Sequence, residues 1–113
     1  LHQAWHRPQA EQLRNASVAW LPQGPKNLIQ LRGAWNQSNL KPVRDVFSQA
    51  EQCGGHIDLN MAHVRSIDSA FIGLLLLLDQ SLRERALTLR LVRTPDAIRR
   101  TLQLSGVQHL VVQ

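Results

Sequence analysis

Strand-like segments recur along the chain, each short and either rich in branched side chains or alternating apolar with polar positions. Residues 17–21 and 28–32 are two such segments, and the Pro- and Gly-containing stretch 22–27 between them predicts a hairpin. Residues 56–61 alternate with Ile, Leu and Met on one side, and residues 87–92 alternate with Leu on one side. The sequence therefore predicts four strands, and the apolar segment 107–112 is an end element of uncertain type.

Three other segments carry apolar residues at the spacings of three and four that place side chains on one face of a helix. The first follows a Ser-Asn pair at 38–39, either of which can cap it, and ends at the glycines 54–55. The second begins at the Asp-Ser pair 68–69, and the third begins at Thr-Pro-Asp 94–96 and stops at Gly106. Their apolar-face positions are Leu40, Val43, Phe47 and Ala50, then Ile72, Leu75, Leu76, Leu82 and Ala86, then Ile98, Thr101, Leu102 and Ser105.

The predicted element order is β-β-α-β-α-β-α, with room for one more element at the end. Strands separated by helices favour parallel pairing with right-handed crossovers, and the initial hairpin adds an antiparallel pair. We therefore expect an α/β fold with a mixed sheet.

Length and composition limit the number of domains. The 113 residues, 43% of them hydrophobic, suit one compact core and leave no room for a second domain. Residues 1–16 are polar and contain scattered arginines, so we interpret them as an N-terminal extension or linker. Residues 17–113 are then the domain. The start at Leu1 rather than Met favours a piece cut from a longer polypeptide.

Charge and hydropathy exclude two kinds of partner. The net charge of +5 comes without a dense basic run or interleaved aromatic residues, which argues against nucleic acid. The longest apolar run, residues 71–78, is far shorter than the roughly 20 residues that span a bilayer, so we expect no membrane insertion. Cys53 is the single cysteine, which favours a reducing, cytoplasmic setting and indicates a packing role for that thiol.

The predicted helix start at Asp68 and Ser69 is the candidate functional site. Its polar side chains lie where unpaired backbone N–H groups and the positive end of the helix dipole face solvent, between a buried strand and an apolar helix. Such a helix start can hold an anion, accept a phosphoryl group or receive a partner's side chain. Simple capping of the helix by either residue is the competing explanation, and the residue types favour it.

The strand before this helix start, the helix start itself and the segments around them resemble the STAS domains. These domains are found in sulphate-transporter tails and bacterial anti-sigma-factor antagonists. The family signature is a strand reading roughly LDLS, a short linker, and DSSG or DTxG at the start of a Leu-rich helix. The matching residues are Ile57-Asp58-Leu59-Asn60, Asp68-Ser69-Ala70-Phe71, Leu31-Arg32-Gly33, and residues 87–92 with Pro95, Arg99, Leu102 and Gly106. The resemblance implies a STAS-like mixed sheet of four to five strands, with helices packed mainly on one face.

The departures from the family pattern fall at the candidate site. Ala70 stands where phosphoregulated antagonists carry the acceptor serine, so the usual phosphorylation is chemically impossible, and Ser69 becomes the candidate acceptor with Ser66 as its rival. Phe71 replaces the family's Gly, and Trp35-Asn36 replace a common Leu-Asp pair. The resemblance implies a partner-binding surface at Asp68, Ser69, Ala70, Phe71 and Asn36. Independently of the resemblance, Trp5 and Trp35 are candidate exposed anchors of an interface because of their residue type.

No pattern for catalysis or cofactor binding is present in the sequence. It has no P-loop, no G-x-S-x-G turn and no Gly-rich dinucleotide turn, so we expect neither an enzyme nor a cofactor. His2 and His6 share a helical spacing but lack a third ligand, so we expect no metal site. Asp58 could face solvent and act as an acid, but no partner carboxylate is placed beside it.

Three functional hypotheses remain open. The first is a non-catalytic regulatory module that binds a protein partner, such as an anti-sigma kinase. The second is the C-terminal regulatory STAS domain of a larger transporter, lipid-transport complex or glycosyltransferase. The third, suggested by some members of the family, is nucleotide binding at the same helix start.

Overall fold

A computed structural model describes residues 16–112 of the chain. The predicted extension therefore lies outside the described residues except for Ala16, and so do the histidine pair His2 and His6 and the indole of Trp5.

The described elements follow the predicted order. The strands are β1 (Ala16–Gln23), β2 (Lys26–Trp35), β3 (His56–Ile67) and β4 (Leu89–Val92). The helices are α1 (Lys41–Cys53), α2 (Ser69–Arg83) and α3 (Asp96–Leu104), and a 3-10 turn (Gln108–Leu110) follows them. Strand β3 is longer than predicted, because it continues to the residue before Asp68 and so delivers the chain directly to the candidate site.

The four strands form one sheet in the order β1-β2-β3-β4. The β1–β2 pair is antiparallel, as the hairpin predicts, while β2–β3 and β3–β4 are parallel. Val111 adds a single isolated parallel bridge to Leu91, so the apolar end segment contributes an edge contact and not a fifth strand. The predicted α/β fold with a mixed sheet is confirmed.

One apolar core lies between the sheet and the helices. The buried residues of the three helices share it with alternate residues of the strands, among them Ile29, Ile57, Leu59 and Leu91. Because successive residues of a strand point to opposite faces, these strand residues all belong to the face that the helices cover. The helices therefore pack mainly on one face, as predicted.

Several local predictions prove wrong for geometric reasons. The cap of α1 is Leu40, which makes no side-chain hydrogen bond, and the cap of α3 is Pro95, one position later than Thr94. Leu76 is exposed, and Ala86 lies beyond the end of α2 with a positive φ of 61°. Cys53, expected to pack, is exposed at the end of α1.

The hairpin is fixed to the start of β3 by a buried amide. Asn27 accepts a hydrogen bond from the Trp20 indole at 3.0 Å and donates one to the Gly54 carbonyl at 3.0 Å. The His56 N–H binds the Pro25 carbonyl at 3.0 Å. Gly55 passes so close that a Cβ there would lie 2.5 Å from the same Pro25 oxygen, and its φ is +99°. Only glycine fits both the backbone conformation and the space.

We expect Gly55→Ala to destabilise the protein by at least about 2 kcal/mol, because left-handed strain adds to a collision with the backbone. Gly106→Ala is the matched control, with a φ of +77° and open space around its Cβ, and it should cost about 1 kcal/mol. Urea unfolding of the two variants measures the difference. Equal losses of unfolding free energy in the two variants would show that the Pro25 carbonyl does not restrict the side chain at position 55.

The other face of the sheet carries an ion cluster centred on Asp58. The Arg90 guanidinium donates from Nε at 3.1 Å and from Nη2 at 3.0 Å, and Lys26 Nζ lies 3.4 Å from the same carboxylate. Hydrogen bonds from Arg90 outweigh burial and, with the charge of Lys26, hold the pKa of Asp58 below its usual value. The expectation that Asp58 faces solvent as a free acid is wrong, because the carboxylate is buried and paired.

We expect Asp58→Asn to lower the free energy of unfolding at neutral pH by about 1–2 kcal/mol, since charge-assisted hydrogen bonds are lost. The lowered pKa means that the contribution is complete above the unfolded-state value of about 4 and disappears as pH falls through the folded-state value. Wild type and variant should therefore converge in acid, as measured by urea unfolding across that range.

Asp45→Asn serves as the control for Asp58→Asn, because the Asp45 pair with Lys41 is exposed on both sides. It should change stability by less than about 0.5 kcal/mol. If Asp58→Asn remained less stable than wild type by the same free energy down to low pH, the link between stability and the lowered Asp58 pKa would be contradicted.

Candidate functional site

The start of α2 is capped by Asp68, as the sequence predicts. The residue has extended backbone angles, φ −122° and ψ −177°, and its Oδ1 accepts the Phe71 N–H at 2.9 Å. This bond satisfies one of the helix N–H groups that have no partner within the helix. Asp68 therefore determines where α2 begins.

The second carboxylate oxygen of Asp68 holds a different part of the chain. Oδ2 accepts the backbone N–H of Gln37 at 3.0 Å, which joins the start of α2 to the loop between β2 and α1. Sequence reasoning missed this contact, because it links positions 31 residues apart. Both oxygens are thus engaged by backbone donors, and Asp68 acts as a positioning residue.

The loop between β2 and α1 is ordered by its own asparagines. Asn39 Oδ1 accepts the Asn36 N–H at 2.9 Å, and its Nδ2 donates to the Ala34 carbonyl at 2.9 Å. Asn36 Oδ1 in turn accepts the Ser38 N–H at 2.9 Å. Asn39, which the sequence offered as a helix cap, instead closes the turn before the helix. The loop backbone is therefore restrained by hydrogen bonds from its own side chains.

Exposure divides the predicted site residues into two groups. Ser69 and Asn36 are exposed, and Asp68 and Ala70 are partly buried, so these four form one accessible surface. Phe71 is 0% exposed and Trp35 is 2% exposed, so neither can contact a partner directly. The prediction for these two aromatic residues is wrong, because both side chains belong to the core under the site.

An open groove of about 460 Å³ runs beside this surface, between α1 and α2. Its lining combines the loop, the start of α1 and one side of α2: Gln37, Leu40, Arg44, Ala70, Gly73, Leu74 and Leu77. Leu77 is 67% exposed although it belongs to the apolar helix. Nothing in the sequence pattern separated this outer side of α2 from its buried side, because leucine occupies both.

The described residues of the candidate site offer groups for non-covalent contacts and do not form a catalytic arrangement of side chains. The surface presents the Ser69 hydroxyl, the positive end of a helix and an apolar groove with one cation. Within residues 16–112 no group of three His, Cys, Asp or Glu side chains converges as a metal site would require. No helix among the same residues is long and apolar enough to cross a membrane.

Solved structures with the same fold include bacterial anti-sigma-factor antagonists. Unphosphorylated SpoIIAA matches with a TM-score of 0.73 and 22% identity, covering 84% of this chain and 85% of that one. The phosphorylated form of this Bacillus cell fate determinant gives 0.66 and 22%, covering 84% and 88%. A putative antagonist from Thermotoga maritima gives 0.74 and 21%, covering 83% and 82%. Identities this low establish the fold alone.

Sequence comparison gives the family directly. No curated protein matches the chain at a significant level. A family model described as "Mlab, STAS domain" matches residues 23–112, which include the last residue of β1, the other three strands, the three helices and the whole candidate site. The resemblance predicted from the sequence is confirmed, and the chain belongs to the STAS domain family.

Proposed function

We propose that this chain is a non-catalytic, cytoplasmic regulatory module that binds a protein partner at the start of α2. The contact surface consists of Ser69, Ala70 and Asn36, with Asp68 holding the loop and the helix in register. The observation that supports it best is this Asp68 bridge, which joins the loop that carries the exposed Asn36 amide to the helix start that carries the exposed Ser69 hydroxyl.

A fixed surface favours binding because the partner need not order it. The asparagine bonds in the loop and the two bonds of Asp68 restrain both elements in the free protein. Association then costs less conformational entropy than it would with a mobile loop. The positive end of the α2 dipole adds an attraction for an acidic or hydrogen-bond-accepting group beside Ser69.

The structural relatives support a regulatory role. The matched structures include anti-sigma-factor antagonists, and one of these proteins, SpoIIAA, is known in a phosphorylated form. An anti-sigma kinase is therefore one partner class to test. The other is a protein of the same complex or polypeptide, as expected if the domain regulates a transporter, a lipid-transport complex or a glycosyltransferase.

Regulation by phosphate would act through Ser69. Ala70 has no hydroxyl, whereas Ser69 is exposed at the first position of α2. A phosphate there adds about two negative charges between the helix N-terminus and the Asp68 carboxylate, and so it alters the charge of the surface that a partner meets. Ser66 is exposed as well and is the competing acceptor.

We expect Ser69→Asp to weaken binding to the cognate partner at least tenfold, about 1.4 kcal/mol, because it places a charge in the contact. Isothermal titration with purified proteins encoded beside the gene, or with the rest of the parent polypeptide, measures the affinity. Ser105→Asp, which changes an exposed serine after α3, should leave the affinity unchanged. Equal affinities for Ser69→Asp and wild type would refute the proposed surface.

Phosphorylation needs its own measurement. Mass spectrometry after incubation with the cognate kinase should find the phosphate on Ser69 and lose it in Ser69→Ala. Modification of Ser66 instead would move the regulated position away from the start of α2. The same titration with GTP or ATP tests the nucleotide alternative, and measurable heat would favour it.

A further inference from the structure

Helix α2 carries two apolar sides, and only one of them is fully buried within the fold. Phe71, Leu75, Leu78 and Leu82 point into the core. Ala70, Gly73, Leu74 and Leu77, spaced at i, i+3, i+4 and i+7, line the open groove. Ala70 and Leu74 also pack partly against the core, whereas Leu77 is 67% exposed. A helix that is apolar on both sides is typical of one that is covered on both sides.

Gly73 is the feature of this groove that the fold does not explain. Glycine is unfavourable inside a helix, and here a Cβ would meet no atom within 4 Å. Neither a positive φ nor a close internal neighbour requires glycine at this position. Its effect is to expose the α2 backbone at the floor of the groove, where another chain can approach closely.

Arg44 gives the groove a charge without a counter-charge. Its neighbours Lys41 and Asp45 pair with each other at 2.9 Å. No ion pair in the described part of the chain includes Arg44. The lining contains no carboxylate, and apart from Gln37 and the unpaired Arg44 on its α1 wall its residues are apolar.

We propose that this groove binds an apolar protein segment that packs against the α2 backbone at Gly73 and pairs a carboxylate with Arg44. Charge complementarity selects this occupant, because a second copy of the chain would bring the same lining, with Arg44 and no carboxylate, against itself. The segment enters by the helix-in-groove mode, with anchors spaced to meet Leu74 and Leu77. The inference rests on the proposed function and specifies the chemistry of the partner beside Ser69.

The test uses a phage-displayed random peptide library, panned on the immobilised protein. Enriched peptides should carry two or more large apolar residues together with Asp or Glu. Their affinity should fall at least tenfold for Gly73→Leu, for Arg44→Glu and for Leu77→Ser, and it should weaken as salt rises. Failure to enrich any peptide, or enrichment without acidic residues, would overturn the proposal.

Matched controls separate binding from folding. Leu104→Ser and Arg100→Glu make the same changes at exposed positions of α3 and should leave peptide affinity unchanged, since Leu104 is 84% exposed. Gly73→Leu should keep or raise the thermal midpoint, because its side chain has open space and helix propensity improves. A lowered midpoint, or equal losses in the α3 variants, would contradict the groove.

The two proposals fail separately. If a cognate partner is lost on Ser69→Asp but binds Gly73→Leu and Arg44→Glu as wild type, the groove proposal is wrong and the proposed function stands. If peptides bind the groove as described while the cognate partner binds Ser69→Asp as tightly as wild type, the groove proposal stands and the proposed contact at Ser69 is wrong.

Discussion

The geometry of the candidate site depends on one carboxylate that bridges two backbones. Asp68 caps α2 through the Phe71 N–H and holds the loop through the Gln37 N–H. Either bond alone would order one element, but together they fix the distance between the loop and the helix start. An uncharged or longer side chain could not accept both bonds from the same position with equal strength. The geometry of the site thus follows from a single cap residue whose two carboxylate oxygens each accept a hydrogen bond from a different segment.

Local patterns were sufficient to predict the order of the elements and the buried face of α1. The hairpin follows from the Pro- and Gly-containing turn, and α1 follows from apolar spacings that end at the glycines 54–55. The cap of α2 follows from an acid placed directly before an apolar helix. These predictions succeed because each depends on interactions within a few residues along the chain.

Contacts between distant segments could not be predicted in the same way. The bond from Gln37 to Asp68 and the pair between Arg90 and Asp58 depend on strand register, which no local pattern specifies. The burial of Phe71 is a different case, because its spacing to Leu75, Leu78 and Leu82 places all four on one helical face. That spacing was present in the sequence, but the resemblance to the family matched Phe71 to a glycine at the helix start and so assigned it to the surface.

The composition of α2 connects the fold to the proposed partner. Burial of its inner side needs leucine and phenylalanine, and Leu74 packs partly against the same core, but burial does not require Leu77 or Gly73 on the outer side. A hydroxyl at position 70 would have placed a polar group in the wall of the groove, and Ala70 keeps that wall apolar. The methyl group of Ala70, which leaves Ser69 as the hydroxyl residue at the start of α2, therefore also contributes to the apolar part of the groove lining.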